Sequence, residues 1–201
     1  MSKRRSFEEI LDSEFRWPTQ GDKAFVASAS SSENTNIDES GHSRLVLMTD
    51  GYKKAGDLMV EAAAGRDRLA RDTLVFPIIF NYRHFLEISL ATYGQAVGIA
   101  PNWRSHDLAT LWGSVLEMLD RYGTVDPDEA DPVVGEIILE FAKIDPNSYA
   151  YRYPVDRQGR LLSVPQGDLH LPTLADVMNG VSGYFDGCDA YLNNLQSTGD
   201  Y

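Results

Sequence analysis

The sequence predicts a mainly α-helical domain of four or five amphipathic helices, with one small β-hairpin between the last two. Several segments repeat apolar residues at steps of three and four, the spacing of one helix face. One segment is apolar around most of its circumference, as a helix surrounded by others must be. Ahead of the last helix, tyrosines alternate with smaller or polar residues and a turn sequence follows, the period of a short strand pair.

The first core helix is predicted over about 49–64, where Met48, Tyr52, Ala55, Met59 and Ala62 share a face. The charged stretch from Gly65 to Arg68 reads equally as a break or as a solvated continuation. A central helix follows over about 72–97. Its Leu74, Ile78, Ile79, Phe85, Leu86, Ile88 and Leu90 point in too many directions for a single neighbour. Pro77 is placed near its start or at a kink, and Gly94, Gly98 and Pro101 end it. The third helix opens on Ser105 as N-cap, carries the stripe Leu108, Leu111, Trp112, Val115 and Leu119, and closes at Gly123. The fourth begins at Asp131-Pro132 and buries Val134, Ile137, Ile138 and Phe141. Tyr149, Tyr151 and Tyr153, the turn from Asp156 to Gly159 and the stretch to Val164 then form the predicted hairpin. The last helix starts at Thr173, with Asp176 completing a capping box. Its Gly180, Gly183 and Gly187 predict close approach of another backbone, within the chain or across subunits.

Residues 1–43 read as an N-terminal arm and flexible linker, with a short helix over 6–16, and residues 44–201 as the helical domain. The run from Ala27 to Ser43 has almost no large apolar residue with which to offset its ordering entropy.

Composition narrows the function classes. At 201 residues the chain can build a core without disulfide or metal, and its single cysteine, Cys188, excludes an internal disulfide and fits a reducing compartment. Lys3, Arg4 and Arg5 are followed by Glu8, Glu9 and Asp12 where a secretory signal needs apolar residues. No stretch approaches the roughly 20 apolar residues of a membrane span, so a cytoplasmic protein without membrane contact is expected. The 30 acidic against 18 basic side chains disfavour generic duplex DNA binding. No glycine-rich phosphate loop, nucleophile elbow or paired Cys-x-x-Cys is present. His84, Glu87, His106 and His170 are ligand-capable, but His84-x-x-Glu87 reverses the usual di-metal motif and occurs once, so neither metal nor cofactor is expected.

A polar patch interrupts the greasiest helix. Arg83 and Glu87 lie one turn apart, as do His84 and Glu87. Arg83 either clamps a phosphate or developing oxyanion while His84 or His106 moves a proton, or it joins Glu87 and the hairpin in a structural ion-pair network. His106 serves as a neutral base at a helix start or as a capping residue. Arg152, with Tyr151, Tyr153 and Asp156, either stacks and binds a base or packs on the bundle with Arg152 paired to Asp156 or Glu87.

Three blocks together resemble a known group: Tyr82-Arg83-His84-Phe85-Leu86-Glu87, His106-Asp107-Leu108 with Leu111-Trp112, and Tyr151-Arg152-Tyr153-Pro154 with Asp156 and Gly159. In this order and spacing the chain resembles bacterial HEPN-like proteins over about residues 49–195. The resemblance implies a four-helix-type bundle, a homodimer, and work on or sensing of RNA or a nucleotide in defence or toxin–antitoxin systems. Catalytic members are metal-independent ribonucleases with an Arg followed, after about four to six residues, by a His. None of His42, His84, His106 and His170 stands at that distance after an arginine, so the resemblance does not transfer ribonuclease activity by residue. If the protein is catalytic, Arg83, His84, Glu87 and His106 are the candidates; the alternative is a non-catalytic module whose acidic surface binds a protein partner.

Overall fold

A computed structural model describes residues 17–37, 40–122 and 130–199. The chain divides into two units, Met1–Asp38 and Glu39–Tyr201. In the first, the described residues hold one 3-10 turn, Ser31–Glu33, with no buried residue. The predicted helix over 6–16 lies outside the described residues, as does Gly123.

The second unit contains α1 (Gly41–Ala63), α2 (Arg68–Thr92), α3 (Leu108–Tyr122), α4 (Ala130–Ile144) and α5 (Leu171–Thr198). The helix α1 begins well before the predicted position 49, within the stretch read as linker. The stretch from Gly65 to Arg68, which the sequence leaves open, is a break between the first two helices: Asp67 caps α2, its carboxylate accepting the Ala70 amide at 2.9 Å. Pro77 lies well inside α2 rather than at its start. The helix ends at Thr92, short of the predicted 97, because Gly94 takes a left-handed conformation at φ 92° and a 3-10 turn, Gln95–Val97, follows.

As the apolar circumference of its sequence predicts, α2 is central and packs against α1, α3 and α5, while α4 packs against α3 and α5. Ile78, Leu86, Leu108, Leu111, Ile138 and Met178 have no exposed surface. Each such side chain contributes about 1.5–3 kcal/mol by leaving water. Two glycines set how closely helices approach. A Cβ on Gly56 would stand 2.5 Å from the Tyr82 ring, joining α1 to α2, and one on Gly135 would stand 2.7 Å from Trp112 Nε1, joining α4 to α3. By contrast, a Cβ on Gly180, Gly183 or Gly187 would meet nothing within 4 Å, so within this chain these glycines admit no neighbouring backbone.

Three local expectations are corrected. The hairpin between α4 and α5 is reduced, among the described residues, to one isolated antiparallel bridge, Val155 to Leu161. The tyrosine stretch is wound into turns instead: the Arg152 and Tyr153 amides both donate to the Tyr149 carbonyl at 3.1 Å. Its cause is Asp145, whose Oδ1 accepts the Tyr149 and Ala150 amides at 2.7 and 3.1 Å, with Ser148 held at φ 54°. At the start of α3, Asp107 rather than Ser105 caps, accepting the Ala109 amide at 3.1 Å. At the start of α5, His170 holds the N-cap position, with Pro172 in the first turn, and Thr173 is already helical.

Candidate functional site

The site grows from one buried guanidinium. Arg83 has no exposed surface, so each of its donors must find a protein acceptor. Its Nε donates to the Asp145 carbonyl at 2.9 Å, Nη1 to Glu87 Oε2 at 2.6 Å and Nη2 to the His106 carbonyl at 2.8 Å. The Asp145 carboxylate adds a second negative group, with Oδ2 at 3.8 Å from Nε, buried and without a hydrogen-bond partner. One side chain thus ties α2 to the end of α4 and to the loop ahead of α3.

Glu87 passes this fixation to the surface. While Oε2 holds Arg83, Oε1 lies 2.8 Å from His106 Nδ1 and 3.9 Å from His84 Nδ1. The shorter contact is a hydrogen bond and the longer is not. His106 is also held through its own carbonyl by Arg83, yet its side chain is 67% exposed. With Nδ1 facing Glu87, Nε2 is the nitrogen presented for contact with a ligand.

His84 is mostly buried. It stacks on Phe80 with ring centroids 5.6 Å apart and meets the edge of Tyr52 of α1 at 4.4 Å. Burial pushes its pKa below the ordinary value; the Glu87 carboxylate opposes this shift, whereas Arg152, Arg83 and His106 reinforce it. His84 is therefore a neutral imidazole at neutral pH, able to accept a proton. Arg152 lies 5.7 Å over the same Phe80 ring and 5.8 Å over Tyr153, with Nε donating to the Ser148 carbonyl at 2.5 Å. It therefore pairs with neither Asp156 nor Glu87, and its guanidinium stands at the surface on an aromatic support.

The structure thus brings together Arg83, His84, Glu87, His106 and Arg152, with Tyr153 beside them, its ring tilted against that of Tyr149 with centroids 4.5 Å apart. Two candidates go elsewhere. Tyr151 packs toward Phe76, ring centroids 6.2 Å apart, and lines a separate apolar cleft; burial and then the nearby Asp145 carboxylate push its phenol pKa up. Asp156 organises its own turn, accepting the Gln158 and Arg160 amides at 2.8 and 2.9 Å and pairing with the Arg160 side chain at 2.7 Å. His170 hydrogen-bonds Thr173 at 2.7 Å. Among the described residues no group of three His, Cys, Asp or Glu is arranged to hold a metal ion. Cys188 is half-buried, and burial followed by the Asp189 carboxylate pushes its thiol up to about 11, which disfavours the reactive thiolate.

Sequence reasoning missed Asp145 and Tyr52. A carboxylate directly after an apolar helix and before Pro146 is a faint sign of a buried turn-former, and nothing in the sequence marks Tyr52 as more than a core residue. Among the described residues no helix is long and apolar enough to cross a membrane. No family model, curated protein or solved structure matches the chain, so the HEPN-like resemblance rests on its three sequence blocks.

Proposed function

We propose that this chain binds RNA or a nucleotide at the surface shared by His84, His106 and Arg152, and acts there as a metal-independent ribonuclease of HEPN-like type. The observation that carries the reading is the pair of imidazoles facing one oxygen of Glu87, at 2.8 and 3.9 Å, beside a surface guanidinium. Neutral His84 takes the proton of a ribose 2′-hydroxyl as its oxygen attacks phosphorus. The bond to the 5′-oxygen breaks, and His106 gives that oxygen a proton, leaving a 2′,3′-cyclic phosphate and a 5′-hydroxyl. Arg152 and Tyr153 supply charge and an aromatic face for phosphate and base. Arg83, fully enclosed, positions Glu87 and the His106 backbone and does not itself meet the ligand. A homodimer and a setting in bacterial defence belong to the same reading and rest on the resemblance.

The test is cleavage of mixed single-stranded RNA by the full chain in excess chelator. His106→Asn retains a donor toward Glu87 but has no titrating ring, and it is expected to slow cleavage by about 100-fold or more. Intact activity in that variant, or no cleavage by the unmodified chain, contradicts the catalytic reading. The second reading, a non-catalytic module for a protein partner, is favoured by one feature: Arg83 is enclosed, with each of its three nitrogens already donating to Asp145, Glu87 or His106. Under it, RNA remains uncut whichever residue is changed.

A further inference from the structure

The helices α2 and α4 share two neighbours, α3 and α5, and an apolar cleft of about 590 Å³ lies between them, within the size range of small-molecule sites. Val75, Phe76 and Ile79 occupy one face of α2, and Phe141 and Ile144 stand one turn apart on α4. The third wall is the segment 164–169, which belongs to no helix or strand. Ile79 and Phe141 are each 5% exposed, so the floor is enclosed. Higher up, apolar surface is left uncovered: Phe76 of the otherwise central α2 is 45% exposed and Leu169 is 49% exposed. Large apolar side chains exposed together around one concavity mark a binding surface.

Two further features give the ligand a charge. Phe76 and Tyr151 both line the cleft, with ring centroids 6.2 Å apart and planes inclined at 44°, and the faces of such rings attract cations. Each wall also contributes one exposed carboxylate, Asp72 from α2, Glu140 from α4 and Asp168 from the segment ahead of α5, and no Lys, Arg or His lines the cleft. Asp72 also meets Arg68 at 3.4 Å, an exposed pair that solvent weakens.

Exposed carboxylates alone hold no particular cation, so the apolar floor decides which one is selected. A hydrated metal ion gains nothing from Ile79 and Phe141, and among the described residues no three ligating side chains form a metal group. An apolar acid is repelled by all three carboxylates. A ligand with an apolar body and one ammonium group uses floor, rings and charges together. We infer that this cleft binds a small aromatic amine, its ring system seated on Ile79 and Phe141 and its ammonium group held by the Phe76 and Tyr151 rings and the surrounding carboxylates. The cleft shares no residue with the histidine surface, and neither proposal depends on the other.

The test is calorimetric titration of the full chain with naphthylmethylammonium, using the same ring system bearing an alcohol or a carboxylate as neutral and anionic counterparts. Saturable binding of the ammonium compound at one site per chain is expected, about tenfold or more tighter than the alcohol, with the carboxylate weakest. Phe76→Ala is expected to weaken the ammonium compound by about tenfold. Glu140→Gln, exposed and therefore no threat to the fold, is expected to weaken it by about threefold while leaving the alcohol unchanged. Glu117→Gln, exposed on α3 and outside the cleft, removes the same charge and is expected to change neither. Absence of saturable binding overturns the proposal, and so does an alcohol or carboxylate that binds as tightly as the ammonium compound. Equal weakening by Glu117→Gln and Glu140→Gln also overturns it, since it would mark diffuse attraction to an acidic protein.

Discussion

Two arginine–carboxylate pairs of nearly equal length teach opposite lessons. Arg83 meets Glu87 at 2.6 Å, and Arg160 meets Asp156 at 2.7 Å, each pair four residues apart. The first has side chains 0% and 10% exposed and joins three parts of the bundle. The second has an arginine 76% exposed and closes a local turn. Distance does not separate them; solvent does. Water competes for the surface pair and screens it, whereas removing one partner of an enclosed pair leaves a charge that cannot be resolvated.

The comparison breaks most visibly at Arg83. Arg83→Ala strands Glu87 and two backbone carbonyls, and is expected to destabilise the fold by about 3–5 kcal/mol in urea unfolding. A loss as small as that from a surface pair would remove the distinction on which the account of the site rests.

Acid provides a finer probe of the same region. The folded-state pKa of His84 lies below its ordinary 6.5, so in the window between these values the unfolded chain binds a proton that the folded chain does not. The stability involved is fully present above about pH 6.5 and is lost as pH falls through that window toward the depressed value. His84→Phe keeps a ring against Phe80 and Tyr52 and removes the titration. Urea midpoints followed from neutral to mildly acidic pH are therefore expected to fall less steeply in the variant than in the parent; equal slopes would show that His84 titrates as freely as in the unfolded chain.

The smallest effect belongs to the surface turn. Arg160→Ala is expected to leave the urea midpoint unchanged within error, because the Asp156 carboxylate still accepts its two backbone amides. A clear drop would mean that the turn supports the bundle.

The same contrast explains what could be read before any coordinates. The stripe Leu108, Leu111, Trp112 and Val115 announces α3 because burial of a helix face imposes its period on the sequence, and the all-round apolarity of α2 announces its central place for the same reason. The clustering of Arg83, Glu87 and His106 was inferable because charges inside an apolar helix need partners. Asp145 was hidden, since its effect comes from long-range placement against Arg83 and from amides that any residue type could carry. The tyrosine alternation misled for a related reason: period two describes side chains on a strand, but the Asp145 carboxylate and the left-handed Ser148 wind this stretch into turns. Likewise the close-packing glycines proved to be Gly56 and Gly135, which no spacing motif distinguishes from Gly180, Gly183 and Gly187.

The most direct measurement is a histidine-ring ¹⁵N spectrum recorded while a short, non-cleavable single-stranded RNA is titrated into the intact chain. The account predicts that the ring nitrogens of His84 and His106 shift together and saturate at one RNA concentration while His170 stays unmoved, and that Arg152→Ala weakens the response. Saturable RNA binding that leaves both rings unmoved, or an RNA that does not bind at all, would contradict it.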